Sequence, residues 1–214
     1  MVKSISYDQG EIIKNIISLY IPSGKIDCDP TYSKGNFYNK TGITPPTYKF
    51  DINPQTEDTV YGDARQLPLE GNSINSIMFD PPFLATTGPS IKKNDPNNII
   101  NKRFGVYPSE SELHQFYVDA IREFYRILSP DGVLVFKCQD KISSSKQYLS
   151  HVFIINEAIK LGFYPEDLFV LLAKNRLVTQ WQLKNQKHSR KFHSYFIVFK
   201  KNPTVVEYIK NEKR

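Results

Sequence analysis

The stretch INSIMFDPPF, residues 74–83, joins an apolar run to a turn that two prolines make rigid. The apolar run has the length and composition of a buried strand in a parallel sheet. Because Pro81 and Pro82 fix the backbone and lack N–H donors, the Asp80 carboxylate and the Pro81 carbonyl can face one ligand as two acceptors. An exocyclic amino group offers two N–H donors, and Phe83 offers a flat face for a base ring. The stretch therefore predicts an amino-binding site, with a purely structural turn as the alternative.

Apolar strands alternate with amphipathic helices on both sides of this stretch. The alternation predicts an α/β protein with a mainly parallel sheet, and the chain length suits one domain, residues 1–214. A loop without a helix separates the last two strands, which predicts an antiparallel pair at one edge. Helices are predicted at residues 7–19, 110–128 and 150–161, and seven strands at residues 25–28, 48–52, 59–62, 74–79, 133–136, 168–173 and 194–199.

Acidic residues stand at the ends of the first four predicted strands: Asp29, Asp51, Asp63 and Asp80. In open parallel sheets, ligands bind outside the carboxyl ends of the strands. A carboxylate there can accept hydrogen bonds from ribose hydroxyls or from an adenine amino group, although each could instead cap the following turn. The four together favour an adenosine-type ligand.

The composition is that of a globular protein, with 40% hydrophobic and 23% charged residues. No apolar run approaches the ~20 residues that a bilayer requires, and the polar N-terminus lacks the apolar core of a signal peptide. The two cysteines, Cys28 and Cys138, are far apart, and no cluster has metal-ligand spacing. We therefore expect a cytoplasmic protein without disulfides, a bound metal or a membrane partner.

Positive charge is concentrated in the last third of the chain. The net charge is +6, and the segment from Lys141 to the C-terminus holds 14 Lys and Arg against 5 Asp and Glu. Such a basic segment indicates a polyanionic partner such as nucleic acid, although a solubilising surface has the same composition.

Two loops supply the candidate nucleic-acid contacts. Residues 84–108 form a polar loop of ~25 residues, a length typical of a lid or substrate loop, or of disorder. Residues 181–193 form the loop before the last strand, where basic residues alternate with Trp181 and Phe192. This pattern suits phosphate contacts with base stacking, or a solvated hairpin; a tail of residues 202–214 follows. The candidate contacts are Lys92, Lys93, Lys102, Arg103, Lys184, Lys187, His188, Arg190 and Lys191.

The rigid turn resembles a motif of a known enzyme family. The amino-methyltransferases of DNA and RNA carry a strand followed by Asp/Asn-Pro-Pro-Tyr/Phe. Their cofactor region is a strand leading to Asp-Pro-aromatic-x-Gly-Ser-Gly, and the similar stretch here is DPTYSKG, residues 29–35. Asp29, Pro30 and Gly35 match this pattern, whereas Ser33 stands where glycine is usual. The resemblance extends over nearly the whole chain.

This resemblance implies a fold and a cofactor. The fold would be a single-domain, Rossmann-like class I methyltransferase with a seven-stranded, mainly parallel sheet, an antiparallel last strand and helices on both faces. S-adenosylmethionine would be the cofactor, with Asp51 on its ribose hydroxyls and Asp63 on its adenine amino group. The implied catalytic residues are Asp80, Pro81, Pro82 and Phe83, and the implied cofactor-binding residues are Asp29, Pro30, Tyr32, Gly35, Asp51, Ile52, Asp63, Ala64 and Asp80.

The activity that the resemblance implies is methylation of an exocyclic amino group of a nucleobase. The Asp form of the motif favours adenine N6, and DNA is favoured over RNA. Cytosine N4, the same chemistry on RNA, methylation of a protein glutamine amide, and a non-catalytic nucleic-acid-binding subunit stay open as alternatives. The chain shows no obvious separate target-recognition domain, so we expect specificity to come from the two basic loops, from a homodimer or a partner subunit, or to be low.

Overall fold

The computed structural model describes residues 1–83, 85, 107–143, 145–175, 184 and 186–202. The helices are α1 (Gln9–Tyr20), α2 (Asn36–Asn39), α3 (Glu110–Ile127) and α4 (Ser150–Lys160). The strands are β1 (Ile5–Ser6), β2 (Cys28–Asp29), β3 (Tyr48–Asp51), β4 (Val60–Tyr61), β5 (Ile74–Phe79), β6 (Leu128–Cys138), β7 (Lys141–Ser143), β8 (Lys146–Tyr148), β9 (Tyr164–Leu172) and β10 (His193–Lys200). In the described part of the chain, no helix combines the length and the apolar character needed to cross a membrane.

Eight strands form the main sheet, in the order β1-β9-β10-β6-β5-β2-β3-β4. Strand β10 is antiparallel to both of its neighbours, and the other pairs in this sheet are parallel. The predicted count of seven was wrong. The additional strand β1 pairs through Ile5 and Ser6 alone, and two residues are too few to show a strand periodicity. A separate two-stranded sheet, β7–β8, was also missed because its sequence is polar.

Strand β5 occupies the predicted residues, and its side chains alternate between two cores. Ile77 and Phe79 belong to the core that includes α3 and α4, whereas Met78 belongs to the core that includes α1 and α2. Helices therefore cover both faces of the sheet. Burial of each large apolar side chain in these cores stabilises the fold by about 1.5–3 kcal/mol relative to leaving it exposed. Asp8 caps α1, accepting from the Gly10 amide at 2.8 Å.

The strand order reverses between β2 and β5, and this reversal positions the site. From β2 the chain adds β3 and β4 on one side, and from β5 it adds β6 on the other. The neighbouring parallel strands β2 and β5, which pair through Cys28 and Ile77, therefore end at a crevice. Ligands bind in such crevices in open α/β sheets. Asp29 is the last residue of β2, and Asp80 follows β5 directly.

Candidate active site

A cavity of about 580 Å³ opens at this crevice, which is within the usual size range of small-molecule sites. Most of the predicted site residues line it, but Gly35 and Pro81 do not. The predicted residues in its lining are Asp29, Pro30, Tyr32, Asp51, Ile52, Asp63, Ala64, Asp80, Pro82 and Phe83.

The Asp29 carboxylate organises the loop that follows β2. It is 2% exposed and accepts hydrogen bonds from the Thr31 amide at 2.8 Å, the Thr31 hydroxyl at 3.1 Å and the Tyr38 hydroxyl at 2.9 Å. Burial raises the pKa of Asp29 to about 7, and these three hydrogen bonds act in the opposite direction. Much of the acceptor capacity of Asp29 is therefore already used inside the protein.

Thr31 links the two loops that meet at the crevice. Its hydroxyl donates to Asp29 and accepts from the backbone N–H of Asp80 at 2.9 Å. The loop that follows β2 and the turn at residues 80–83 are thus joined through one side chain. The sequence pattern placed Thr31 within the loop but indicated no role for it, because its partner Asp80 lies 49 residues away.

The same loop uses left-handed backbone conformations at Ser33 (φ 51°) and Gly35 (φ 64°). The Ser33 amide donates to Asp51 at 2.9 Å, and the Asn53 amide donates to Asp51 at 2.8 Å. Burial raises the pKa of Asp51, whereas these two hydrogen bonds lower it. Gly35 shapes the loop instead of lining the cavity, since a Cβ there would lie 2.5 Å from the Tyr32 hydroxyl oxygen.

Arg65 uses much of the hydrogen-bonding capacity of the Asp63 carboxylate. Its Nε donates to Oδ1 at 2.9 Å and its Nη2 donates to Oδ2 at 2.6 Å, and these bonds hold the pKa of Asp63 below its usual range. The guanidinium lies 5.9 Å from the Phe116 ring centroid, and Tyr107 packs on the same ring at 5.1 Å. This end of the cavity therefore offers flat aromatic faces beside a carboxylate. The sequence patterns did not indicate Arg65, Tyr107 or Phe116 as lining residues.

Four side chains from other elements hold the turn at residues 80–83. Lys137 donates to Asp80 Oδ2 at 3.2 Å, Tyr117 donates to the Pro82 carbonyl at 2.8 Å, and Lys141 donates to the Phe83 carbonyl at 2.7 Å. The fourth, Thr31, bonds the Asp80 amide, as described above. The turn is therefore anchored from several directions.

Lys141 is itself held by a largely buried ion pair. Its Nζ lies 2.8 Å from Glu110 Oε2, and the two side chains are 12% and 8% exposed. Burial lowers the pKa of Lys141, and the pairing with Glu110 opposes that shift.

Pro81 is buried and lines neither this cavity nor the second one described next. Its assignment as a ligand-facing acceptor stays a prediction.

A second cavity of about 300 Å³ lies beside the first and shares Gln9, Asp80, Phe83 and Lys137 with it. The ends of β6 and β9 and the start of β10 complete its lining, together with Tyr7: Cys138, Gln139, Leu171, Leu172, Ala173, His193 and Ser194. Asp80 and Phe83 therefore stand between two compartments. The first compartment has about twice the volume of the second.

The basic loops are only partly described. Lys92, Lys93, Lys102 and Arg103 lie outside the described residues, as does Trp181. In the second loop Lys184, Lys187 and His188 are exposed, and Arg190 and Lys191 are partly exposed. This segment enters β10 at His193, which pairs with Leu172 at the end of β9. Its described cations thus precede a residue that lines the second cavity.

Lys137 lines both cavities, but the sequence patterns did not predict it as a site residue. It interrupts the apolar run of β6 one residue before the strand ends, and a lysine at such a place is a signal that could have been used. Within the described residues, no group of three His, Cys, Asp or Glu side chains is arranged to hold a metal ion.

Comparison with known proteins gives structural likeness only. No family model and no curated protein matches the sequence. A structure from Lactococcus lactis, described as a candidate hemolysin, aligns with a TM-score of 0.54 at 13% identity, over 92% of this chain and 88% of that one. At this identity the likeness establishes the fold alone.

Two DNA methylase structures also align, with lower scores. The PvuII cytosine-N4-specific DNA methyltransferase gives a TM-score of 0.45 at 15% identity, over 67% of this chain and 49% of that one. A candidate DNA modification methylase from Thermus thermophilus, in complex with S-adenosyl-L-methionine, gives 0.41 at 16%, over 71% and 57%. The chain spans about half the length of these methylases. Fold and site together define an α/β protein with a cavity of about 580 Å³ at the switch point of a mainly parallel sheet.

Proposed function

We propose that this protein is an S-adenosylmethionine-dependent methyltransferase that acts on an exocyclic amino nitrogen of a nucleobase, with adenine N6 in DNA as the first candidate. The observation that carries the proposal is the position of Asp80 and Phe83, which line both the cavity of about 580 Å³ and the neighbouring cavity of about 300 Å³. A group transfer between two bound molecules requires such a junction, because the reacting atoms must meet in line.

The first cavity suits the methyl donor. The Asp51 carboxylate is half-buried at the end of β3 and can accept hydrogen bonds from ribose hydroxyls. Asp63, whose carboxylate already accepts from the backbone and the side chain of Arg65, lies beside the aromatic faces of Tyr107 and Phe116, which suit an adenine ring. Bound there, S-adenosylmethionine supplies the methyl group to be transferred.

The second cavity suits the acceptor base. The lone pair of an adenine or cytosine amino group is delocalised into the ring, so the nitrogen is a poor nucleophile. A hydrogen bond from this group to the Asp80 carboxylate favours a localised lone pair at the moment of transfer. The nitrogen forms a bond to the methyl carbon while the carbon–sulfur bond breaks and leaves its electron pair on sulfur. The nitrogen then loses one proton, to Asp80 or to water.

A nucleic acid is the proposed carrier of the base. The exposed cations Lys184 and Lys187 precede the strand that lines the second cavity, and the last third of the chain is strongly basic. A base within a duplex cannot reach such a cavity, so a duplex substrate would have to flip its target nucleotide. Contacts to phosphates position the polymer without specifying its sequence, and a homodimer or a partner subunit could contribute the specificity.

A labelling experiment tests the proposal. The purified protein is incubated with tritiated S-adenosylmethionine and, separately, with unmethylated duplex DNA, single-stranded DNA and total RNA, and the labelled nucleoside is identified after digestion. We expect N6-methyladenine from DNA. Label from RNA alone would identify RNA as the substrate of the same chemistry. The proposal would be contradicted if no pool were labelled and the protein did not bind the donor.

Asp80→Ala is the variant that tests the site. We expect its turnover to fall by about 10²-fold or more, because the variant lacks the acceptor for the reacting amino group, while donor affinity is largely retained. Asp119→Ala, which removes a surface carboxylate paired with Arg122 on α3, is the matched control and should keep full turnover. Full activity in Asp80→Ala would show that the reaction occurs elsewhere.

A further inference from the structure

Lys137 projects from β6 to the junction of the two cavities, where it contacts Asp80. Its Nζ lies 3.2 Å from Asp80 Oδ2, and the side chain is 16% exposed. The same ammonium lies 4.9 Å from the ring centroid of Phe37 and 5.6 Å from that of Phe196. A lysine at a site this buried needs a charged partner, because desolvation of an unpaired ammonium is costly. Asp80 is that partner.

Two rings and one carboxylate together restrict the position of the ammonium. Cation–π attraction to Phe37 and Phe196 holds Nζ on the side of these rings, so it cannot follow the carboxylate as a free ion would. The carboxylate torsion of an aspartate is otherwise soft and nearly two-fold symmetric. Lys137 removes this symmetry, since among the described side chains it binds Oδ2 and none binds Oδ1.

We propose that Lys137 is a positioning residue for methyl transfer: it fixes Oδ2 of Asp80, so that Oδ1 is left in one orientation to accept an N–H of the acceptor amino group. This inference rests on the proposed function. An aspartate offers two chemically equivalent carboxylate oxygens. The paired cation selects one of two equivalent oxygens.

Two other roles for Lys137 make different predictions. If the ammonium bound the carboxylate of the methyl donor, its removal would weaken donor binding. If the ammonium only stabilised the fold, its removal would lower the melting temperature, and turnover of the folded fraction would be unchanged. A positioning role predicts instead a loss of kcat at saturating donor and acceptor.

The experiment compares Lys137→Met, Lys137→Arg and the control Lys200→Met. Methionine fills a similar volume between aromatic rings without the charge, and arginine keeps a cation. Lys200 lies at the far end of neighbouring strand β10, where it is paired with Asp131 at 3.3 Å. Melting temperature, donor affinity by calorimetry, and kcat and KM for the acceptor nucleic acid are measured for each protein.

We expect Lys137→Met to lose about 10–100-fold in kcat of the folded protein, beyond any loss of melting temperature from the broken ion pair, with donor affinity near that of the wild type, because small misplacements of reacting groups have effects of this size. Lys137→Arg should recover part of the loss, and Lys200→Met should match the wild type. Wild-type kcat in Lys137→Met, or a loss confined to donor affinity or to melting temperature, would overturn the inference. An inactive wild-type protein would instead overturn the proposed function on which it rests.

Discussion

At the scale of single residues, Asp29 combines deep burial with a dense set of hydrogen bonds. Thr31 and Tyr38 donate to it, and the Thr31 hydroxyl also accepts from the Asp80 amide. The carboxyl group therefore connects the loop after β2 to the turn after β5. Its pKa of about 7 means that its charge state changes near neutral pH.

The stability of the protein should depend on pH through Asp29. Its pKa is raised from 3.8 to about 7 on folding, so its contribution is fully present below pH 3.8 and is lost as the pH rises towards 7. Asp29→Asn abolishes this titration. The free energy of unfolding of the variant minus that of the wild type should therefore rise by up to about 1.4 kcal/mol per pH unit between pH 4.5 and 7, and then level off.

Urea denaturation at half-unit pH steps measures this difference. Asp119→Asn, which makes the same change in a carboxylate on α3 that is 32% exposed, is the control, and the pH dependence for Asp29→Asn should exceed the one for this control. A flat difference for Asp29→Asn over this range would show that Asp29 is ionised throughout.

At the scale of elements, the loop between β2 and α2 depends on one glycine. Gly35 has φ 64°, and it precedes α2 directly. Tyr32 and Tyr38 stack beside it with ring centroids 5.6 Å apart. The loop is therefore closed by an aromatic pair that leaves no room for a side chain at residue 35.

Gly35→Ala should destabilise the protein and weaken donor binding. The left-handed conformation alone costs a residue with a Cβ about 1–2 kcal/mol, and the contact with the Tyr32 hydroxyl adds to this cost. Gly24→Ala is a matched control, because Gly24 has φ 70° and a Cβ at that position would have no heavy atom within 4 Å. We expect Gly35→Ala to unfold at lower urea than Gly24→Ala, and to lose donor affinity in calorimetry. Equal effects of the two substitutions would mean that the tyrosine contact relaxes freely.

At the scale of the whole molecule, charge and topology place the basic segment at one edge of the sheet. Strand β10 is antiparallel, so it begins where β6 and β9 end: His193 pairs with Leu172, and Tyr195 pairs with Cys138. The cations before β10 therefore emerge at the carboxyl edge, on the side of both cavities. A polyanion bound there would approach the site.

The salt dependence of nucleic-acid binding should depend on the cations that precede β10. The double variant Lys184→Gln/Lys187→Gln should reduce the slope of log affinity against log salt by up to about 0.9 for each phosphate that is no longer neutralised on duplex DNA. The control is Lys14→Gln/Lys160→Gln, which removes two exposed lysines from helices α1 and α4. Fluorescence anisotropy over a salt series measures both slopes. Identical slopes for the two double variants would place the polyanion on another surface.

Sequence patterns alone predicted the longer helices and strands and the polar residues at the ends of several strands. The apolar run at residues 74–79 predicted β5 with its observed bounds, and the helical periodicity of residues 110–128 predicted α3, which is observed at Glu110–Ile127. Patterns of this kind depend on neighbours within a few residues, and therefore they can be recognised in one dimension. The rigid turn at residues 80–83 and the acidic strand ends belong to the same class of signal.

Which side chains contact one another across the sheet could be seen only in the folded protein. Lys137 contacts Asp80 across 57 residues, and β1 joins the sheet through Val170, far along the chain. Such contacts depend on strand order and on the register between strands, which are set by the packing of the two cores on the sheet. No local pattern encodes that order, and so the sequence named the carboxylate at the junction but not the cation that holds it.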